Sequence, residues 1–106
     1  MKEIKAFIRN NMIDYVIDAI EAMPDAPGIT LSDVRGWGHV KGEEQARLIK
    51  RTKLETVVPT HRVEEIISII VEKGRTGNPG DGKIFVSDVE RGVRIRTGET
   101  DENVIR

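Results

Sequence analysis

Residues 51–74 read RTKLETVVPTHRVEEIISIIVEKG, and their hydrophobic spacing changes period in the middle. Before Pro59, Leu54, Thr56 and Val58 alternate with Lys53, Glu55 and Val57, the period of two expected of a half-buried strand. After it, Val63, Ile66, Ile67, Ile70 and Val71 fall at i, i+3, i+4, i+7 and i+8, the single stripe of an amphipathic helix. Thr60 is placed to cap that helix, and Glu64 and Glu65 suit the positive end of its dipole. Gly74 is expected as a left-handed cap at its end. The unit is a strand followed by a helix.

The same unit occurs once before. KEIKAFIR at 2–9 alternates, with Ile4, Ala6 and Ile8 on one face. Met12, Ile13, Val16, Ile17, Ile20 and Met23 then repeat at helical spacing, after Asn10 and Asn11 as candidate caps and before the breakers Pro24, Pro27 and Gly28. ITLSDVR at 29–35 reads as a second strand, KIFVS at 83–87 as a fourth, and GVRIRT at 92–97 as one further short strand. The order β-α-β-β-α-β predicts an α+β, ferredoxin-like sandwich: one antiparallel sheet with both helices on one face. Residues 1–106 are expected to form a single domain. Residues 37–50, WGHVKGEEQARLIK, read as a long loop between two strands, the kind that tends to carry function, and 98–106 as a polar, mobile tail.

Composition removes several classes. The chain has no cysteine, so no disulfide framework, thiolate nucleophile or cysteine-ligated metal is available. No apolar run exceeds three residues, as in Ile69-Ile70-Val71, against the ~20 needed to cross a bilayer, so no membrane insertion is expected. The start, MKEIKAFIRN, has the pattern of neither a signal nor a transit peptide, and a cytoplasmic location is expected. With 17 basic and 18 acidic residues and only Phe7, Tyr15, Trp37 and Phe85 as aromatics, the chain is not expected to bind nucleic acid. A domain this small gains from oligomerisation.

Four features can carry chemistry. Residues 74–83, GRTGNPGDGK, hold four glycines before a strand. Glycines let backbone N–H groups converge on an anion, and Lys83 can neutralise a phosphate; the same glycines also suit a plain helix-to-strand connection. Arg94 and Arg96 flank Ile95, so on a strand both point to one face roughly 7 Å apart. They either grip a polyphosphate bidentately or sit on a solvated face near Glu90 and Glu99. Gly36-Trp37-Gly38 leaves the second strand, with Gly42 four residues on; Trp37 there is a loop anchor, a partner-binding side chain or a platform for a base. Arg47, Lys50, Arg51 and Lys53 form a basic run. His61 with Glu64 or Glu65 reads as a surface capping interaction sooner than a metal site, and no Ser–His–Asp arrangement or other hydrolase motif occurs.

Taken together, these segments resemble one family. TGNPGDGKIFV at 76–86 and VRIRTGE at 93–99 are similar to the C-terminal signature of PII signal-transduction proteins. The opening MKEIKAFIR, the glycine pattern of Gly36 to Gly42, and Lys53-Leu54-Glu55 before Val57-Val58-Pro59 fit as well, so the resemblance spans nearly the whole chain. It implies a homotrimer that binds adenine nucleotides (ATP, ADP or AMP, with magnesium possible) in clefts between subunits, and a regulator rather than an enzyme. It implies that a T-loop acts on a target protein such as a transporter or metabolic enzyme, in the setting of nitrogen regulation. Carried over residue by residue, it implies a phosphate cradle of Gly80, Asp81, Gly82 and Lys83 near Thr76, with Arg94 and Arg96 reaching the phosphates from the adjoining subunit. Thr30, Gly36, Trp37, Gly38, Glu55 and Val57 would hold ribose and base, and His39, Val40, Lys41, Gly42, Arg47, Lys50 and Arg51 would belong to the partner-binding loop.

The departures are informative. The family's G-F-G-R-Q-K-G is here Gly36-Trp37-Gly38-His39-Val40-Lys41-Gly42. Val40 replaces a glutamine whose oxygen helps hold magnesium beside 2-oxoglutarate, and valine has no oxygen to offer. Arg51 aligns with the family's 2-oxoglutarate-contacting lysine. These changes weigh against 2-oxoglutarate sensing. The loop is shortened and carries no tyrosine, so uridylylation is not expected. Two other readings compete: a small phosphate-handling enzyme with Asp81 or Glu55 as base, and a metal-binding trimer using His39 or His61.

Overall fold

The computed structural model describes residues 1–105, with the side chains of all of these but Glu102 and Asn103; Arg106, the end of the expected tail, lies outside the described residues. Four strands and two helices follow in the predicted order: β1 (Lys2–Ile8), α1 (Ile13–Glu21), β2 (Thr30–Gly38), β3 (Arg47–Val58), α2 (Val63–Gly74) and β4 (Gly82–Asp88). The sheet order is β2-β3-β1-β4 and every neighbouring pair is antiparallel. Each strand-helix-strand unit is therefore split by a strand of the other, which is the ferredoxin-like arrangement.

The alternation read from the sequence places the core. Ile4, Ala6 and Ile8 of β1 and Leu54 and Val58 of β3 are buried, facing Val16 and Ile20 of α1 and Val63, Ile66 and Ile70 of α2. Truncating one of the fully buried side chains, such as Leu54 or Ile66, to alanine should cost about 2–5 kcal/mol. Gly74 is not the left-handed cap expected of it. It is the buried last residue of α2, and a Cβ there would sit 3.4 Å from Val16 Cγ2 and 3.7 Å from Ile8 Cγ2. Its bareness lets the end of the helix come down onto the core.

The expected caps also have other work. Asn10 accepts a hydrogen bond from the buried Thr52 hydroxyl at 2.9 Å, and α1 begins after Met12 with no side-chain cap. Thr60 opens a 3-10 turn, Thr60–Arg62, that leads into α2 without a side-chain cap. Arg62 instead ties that turn to the carbonyls of Asp25 (2.6 Å) and Pro24 (3.1 Å).

Two expectations about local structure are corrected. The stretch 37–50 is not a structureless loop, because Gly36, Trp37 and Gly38 pair with Ile49, Leu48 and Arg47 as a continuation of β2 and β3. Only residues 39–46 lie between the strands. The extension escapes the hydrophobic pattern because β2 and the first five residues of β3 are largely solvated on both faces and have no core to alternate against. The twelve-residue β3 carries this arm beyond the helices and gives the molecule its 51 × 25 × 20 Å shape.

Residues 92–97 are not a strand. Val93 makes one isolated bridge to Thr100, and 95–97 form a turn in which Gly98 N–H donates to Arg94 C=O (2.8 Å) and Arg94 N–H to Glu99 C=O (2.8 Å). Ile95 is fully exposed. Arg94 and Arg96 therefore do not share a strand face. The chain then turns back, with Asp101 N–H donating to Gly92 C=O at 2.7 Å and a short 3-10 turn at Asp101–Val104. Val104 and Ile105 in this stretch are half-buried rather than free.

Candidate functional site

The glycine loop is the most heavily tied segment of the surface. It starts where α2 ends and finishes where Gly82 enters β4 opposite Ile8 of β1. Asp81 organises it. One carboxylate oxygen accepts from the Thr76 hydroxyl (2.6 Å) and Arg9 Nε (2.8 Å), the other from the backbone N–H groups of Thr76 and Gly77 (2.9 Å each). The Thr76 hydroxyl and the Arg9 guanidinium hold this carboxyl well below the usual carboxylate range. A carboxylate so engaged is a poor general base, which weakens the enzymatic reading of Asp81.

Two arginines from neighbouring strands complete the clasp. Arg9, just past β1, donates to Pro79 C=O at 2.8 Å, and Arg51 of β3 donates to Gly80 C=O and Lys50 C=O. Burial, then the neighbouring Arg9, draw the Arg51 guanidinium somewhat below its ordinary range. Gly82 takes φ +105°, and a Cβ there would lie 1.8 Å from the backbone oxygen of Phe7, so only glycine fits. No motif or spacing in the sequence marks Arg9 for this role. Its reach to the loop follows from the pairing of Ile8 with Gly82, which only the topology supplies.

Between this loop and the root of the arm lies a cavity of about 580 Å³. Gly80, Asp81, Gly82 and Lys83 form one wall and Gly36, Trp37, Gly38, His39, Val40 and Lys41 the other, with Arg35 and Arg51 also lining it and Phe7 and Phe85 contributing an apolar side. Four basic side chains thus face one carboxylate that Arg9 already pairs. The result is a site for an anion that carries a flat apolar part. Val40 lies 3.8 Å from where a Cβ on Gly80 would stand, so the arm comes close to the loop. Thr76 stands behind the wall as a partner of Asp81.

The remaining expected residues lie elsewhere. Val57 and Arg94 line a second cavity of about 400 Å³, with Met1, Gly28, Val89, Arg91, Gly92, Val93, Val104 and Ile105. This cavity is at the opposite end of the sheet, where Lys2 meets Asp88. The six residue steps of β4 from Gly82 to Asp88 separate the two ends by roughly 20 Å. Arg96 is exposed on the turn beside Arg94. Thr30 and Glu55 are register partners on the outer face of the sheet, outside both cavities, with Glu55 3.4 Å from Lys53 Nζ. Of the basic run, Arg47, Lys50 and Arg51 belong to β3 rather than to the loop, and Arg47 pairs with Glu43 at 2.8 Å across the turn closed by Gly42. Among the described residues, no group of three or more His, Asp or Glu is gathered to hold a metal ion. No helix among them is long and apolar enough to cross a membrane.

A ferredoxin-like sandwich with a glycine loop clasped at the base of a hairpin arm, and a turn bearing arginines at its far end, defines the architecture of a small regulatory protein of the PII type. The family model for Nitrogen regulatory protein P-II matches residues 1–99. The chain is 42% identical to Nitrogen regulatory protein P-II of Haemophilus influenzae, over 99% of this chain and all of that one. It is 41% identical to Nitrogen regulatory protein P-II 1 of Methanothermobacter thermautotrophicus, over 99% of this chain and 97% of the relative. With Nitrogen regulatory protein P-II 1 of Escherichia coli K12 it shares 39% identity, over 99% of this chain and all of the other. The chain belongs to the nitrogen regulatory P-II family of signal-transduction proteins.

Proposed function

We propose that this chain works as a homotrimer that binds ATP or ADP in clefts between subunits and signals the bound state to a target protein through its arm. The observation that carries this reading is the cavity at the root of the arm, where Gly80–Lys83, Gly36–Gly38, Arg35 and Arg51 surround one space. An adenine nucleotide combines polyphosphate with a flat apolar base and suits cations beside Phe7, Trp37 and Phe85. The site is open in one chain, and Arg94 and Arg96 lie at the far end of the sheet, so a second copy supplies them. The outer sheet face supports assembly: neither helix among the described residues covers it, and Phe85, packed edge to face on Phe7 at 6.3 Å, is 55% exposed there.

The domain is residues 1–106, with 37–50 as the shortened arm that meets the target and 98–106 as its tail. The target is a transporter or metabolic enzyme, and the work is regulatory and cytoplasmic. Magnesium accompanies the triphosphate. Val40, facing the glycine loop without an oxygen, argues against cooperative 2-oxoglutarate binding.

The test is calorimetry on the full-length protein with ATP, ADP and AMP, each with and without magnesium and 2-oxoglutarate, beside sedimentation for assembly. Micromolar binding of ATP or ADP without 2-oxoglutarate synergy is expected. Ligand at about 100 times Kd should stabilise the folded state by about 2.7 kcal/mol. No binding of any of the three at millimolar concentration defeats the reading, and strong 2-oxoglutarate synergy defeats the argument from Val40.

A further inference from the structure

Two surfaces of the chain break the local rules of charge placement, in opposite senses. The first is the solvent side of α1. Residues 10–28 contain four acids, Asp14, Asp18, Glu21 and Asp25, and no Lys, Arg or His. All four are exposed, and none has an ion pair among the described residues. Asp14 and Asp18 stand at i and i+4, where like charges repel, and Glu21 lies at the negative end of the helix dipole with no basic residue in the last turn. Tyr15, 60% exposed, and Ala22 lie beside this acidic stripe, one residue further around the helix. The second surface is one face of the arm. Arg35 is the register partner of Lys50, and Trp37 of Leu48. Strand alternation puts these four on the same side of the sheet as Leu31 and the buried Leu54, which is the helix side, but past the helices, and all four are exposed. Arg35 and Trp37 also edge the first cavity, on the strand they share with Gly36. Like charges directly opposite each other on a sheet cost stability. Neither Arg35 nor Lys50 makes an ion pair among the described residues, and Asp33, next on that face, pairs with neither.

We propose that the helix-side face of the arm docks on the acidic face of α1 of a second copy of this chain. Local conflicts in an otherwise consistent sequence mark surfaces that serve a function, and these two relieve each other. Arg35 and Lys50 meet the carboxylates of Asp14, Asp18 and Glu21, while Trp37 and Leu48 cover Tyr15 and Ala22. The register of β2 with β3 carries the arm away from its own helices, so the contact is between chains. Assembly through the outer sheet face, as proposed above, leaves both surfaces pointing outward; on that reading the contact joins one assembly to the next. It is heterologous, arm to helix, and therefore propagates rather than closes. It is also small and charged, which makes it weak and sensitive to salt. A docked arm is withheld from a target, so the share of free arms falls as the protein concentration rises.

Sedimentation velocity of the full-length protein over a concentration series, at low and at high salt, tests this. At low salt the wild type should grow beyond its high-salt size as concentration rises. The double variants Asp18→Lys/Glu21→Lys and Arg35→Glu/Lys50→Glu should each need about tenfold more protein, or still more, for the same growth. Glu21→Lys suits the helix dipole, so the loss does not come from a weakened α1. An equal mixture of the two double variants should recover the growth, because each then offers the charge the other lacks. A wild type of constant size, a variant that grows like the wild type, or a mixture that stays small overturns the proposal. If either double variant fails to fold, Asp18→Asn and Lys50→Gln decide, each expected to weaken the growth severalfold. The size at high salt reads the proposed homotrimer separately: another size there defeats that reading, whereas a trimer that never grows defeats this inference alone.

Discussion

At one end of the sheet a carboxylate and two guanidinium groups clamp the glycine loop to β1 and β3; at the other, two arginines ride on a turn whose ties are backbone hydrogen bonds and a valine resting on a bare glycine. The first end is rigid and rich in cations before any ligand arrives. The second is built on residues 92–105 and leans on the chain's own start, with Val89 N–H donating to Met1 C=O at 3.2 Å. The difference suits a division of labour. The clamped end has fixed charge and fixed backbone, as the proposed anion site requires, while the lighter end is the one proposed to meet a neighbouring copy. Since about 20 Å of sheet separates them, one chain cannot bring them together.

The sharpest way to break that comparison is to disable one end per chain. Lys83→Ala removes a cation at the clamped end and Arg94→Ala one at the lighter end, and each homotrimer should bind ATP roughly 10- to 100-fold more weakly, the range for a lost charged hydrogen bond. Trimers refolded from a 1:1 mixture should recover about a quarter of the wild-type sites at full affinity, because each mixed interface of the right order joins two intact ends. Titration stoichiometry reads this directly. No recovery on mixing would mean that both ends serve the same subunit or different ligands.

Two glycine substitutions come next and contrast the ends in stability. Gly82→Ala sets a methyl against the Phe7 backbone oxygen at a positive φ, and neither partner can yield, so a loss of about 2–4 kcal/mol is expected. Gly92→Ala clashes with the tip of Val104 alone, Val104 Cβ and Met1 Cε standing at ordinary contact distance, and since that tip can move with its turn it should cost less than about 1 kcal/mol. Thermal or urea unfolding compares them. Similar losses at both positions would show that the C-terminal turn is as fixed as the clasp.

What could be read in advance follows the same division. Wherever a strand or helix presses one face on the core, as from Lys53 to Ile70, hydrophobic period gave the element, and four strands with two helices gave the sandwich. Period failed where no core lies beneath: the arm, where Trp37 and Leu48 pair in solvent at 72% and 53% exposure, and the arginine turn, where Val-Arg-Ile-Arg alternates without being a strand. The site was legible as composition, in the glycines with Lys83 and in Arg94 and Arg96, and through family resemblance. The clasp was not, because Arg9, Arg51 and Asp81 meet only once Ile8 pairs with Gly82 and Thr52 with Ile8.

The smallest expected effect concerns the clasp itself and its response to acid. Asp81 is held ionised below the ordinary carboxylate range by the Thr76 hydroxyl, by Arg9 and by two backbone N–H groups. A carboxyl whose folded value is depressed adds stability that is complete above its unfolded value, about 3.9, and is lost as the pH falls towards the folded one. Asp81→Asn keeps the shape and removes the charge. The gap in melting temperature between wild type and Asp81→Asn should therefore stay constant from pH 7 to about pH 4 and narrow only in stronger acid. Hydrogen exchange at the Thr76 and Gly77 amides should follow the same course, since both donate to this carboxylate. At the other end of the sheet the group held below the ordinary carboxylate range is Asp88, by its hydrogen bond and ion pair with Lys2. A gap that already closes between pH 7 and pH 5 would mean that the clasp does not hold Asp81 ionised, and the contrast in rigidity between the two ends would lose its cause.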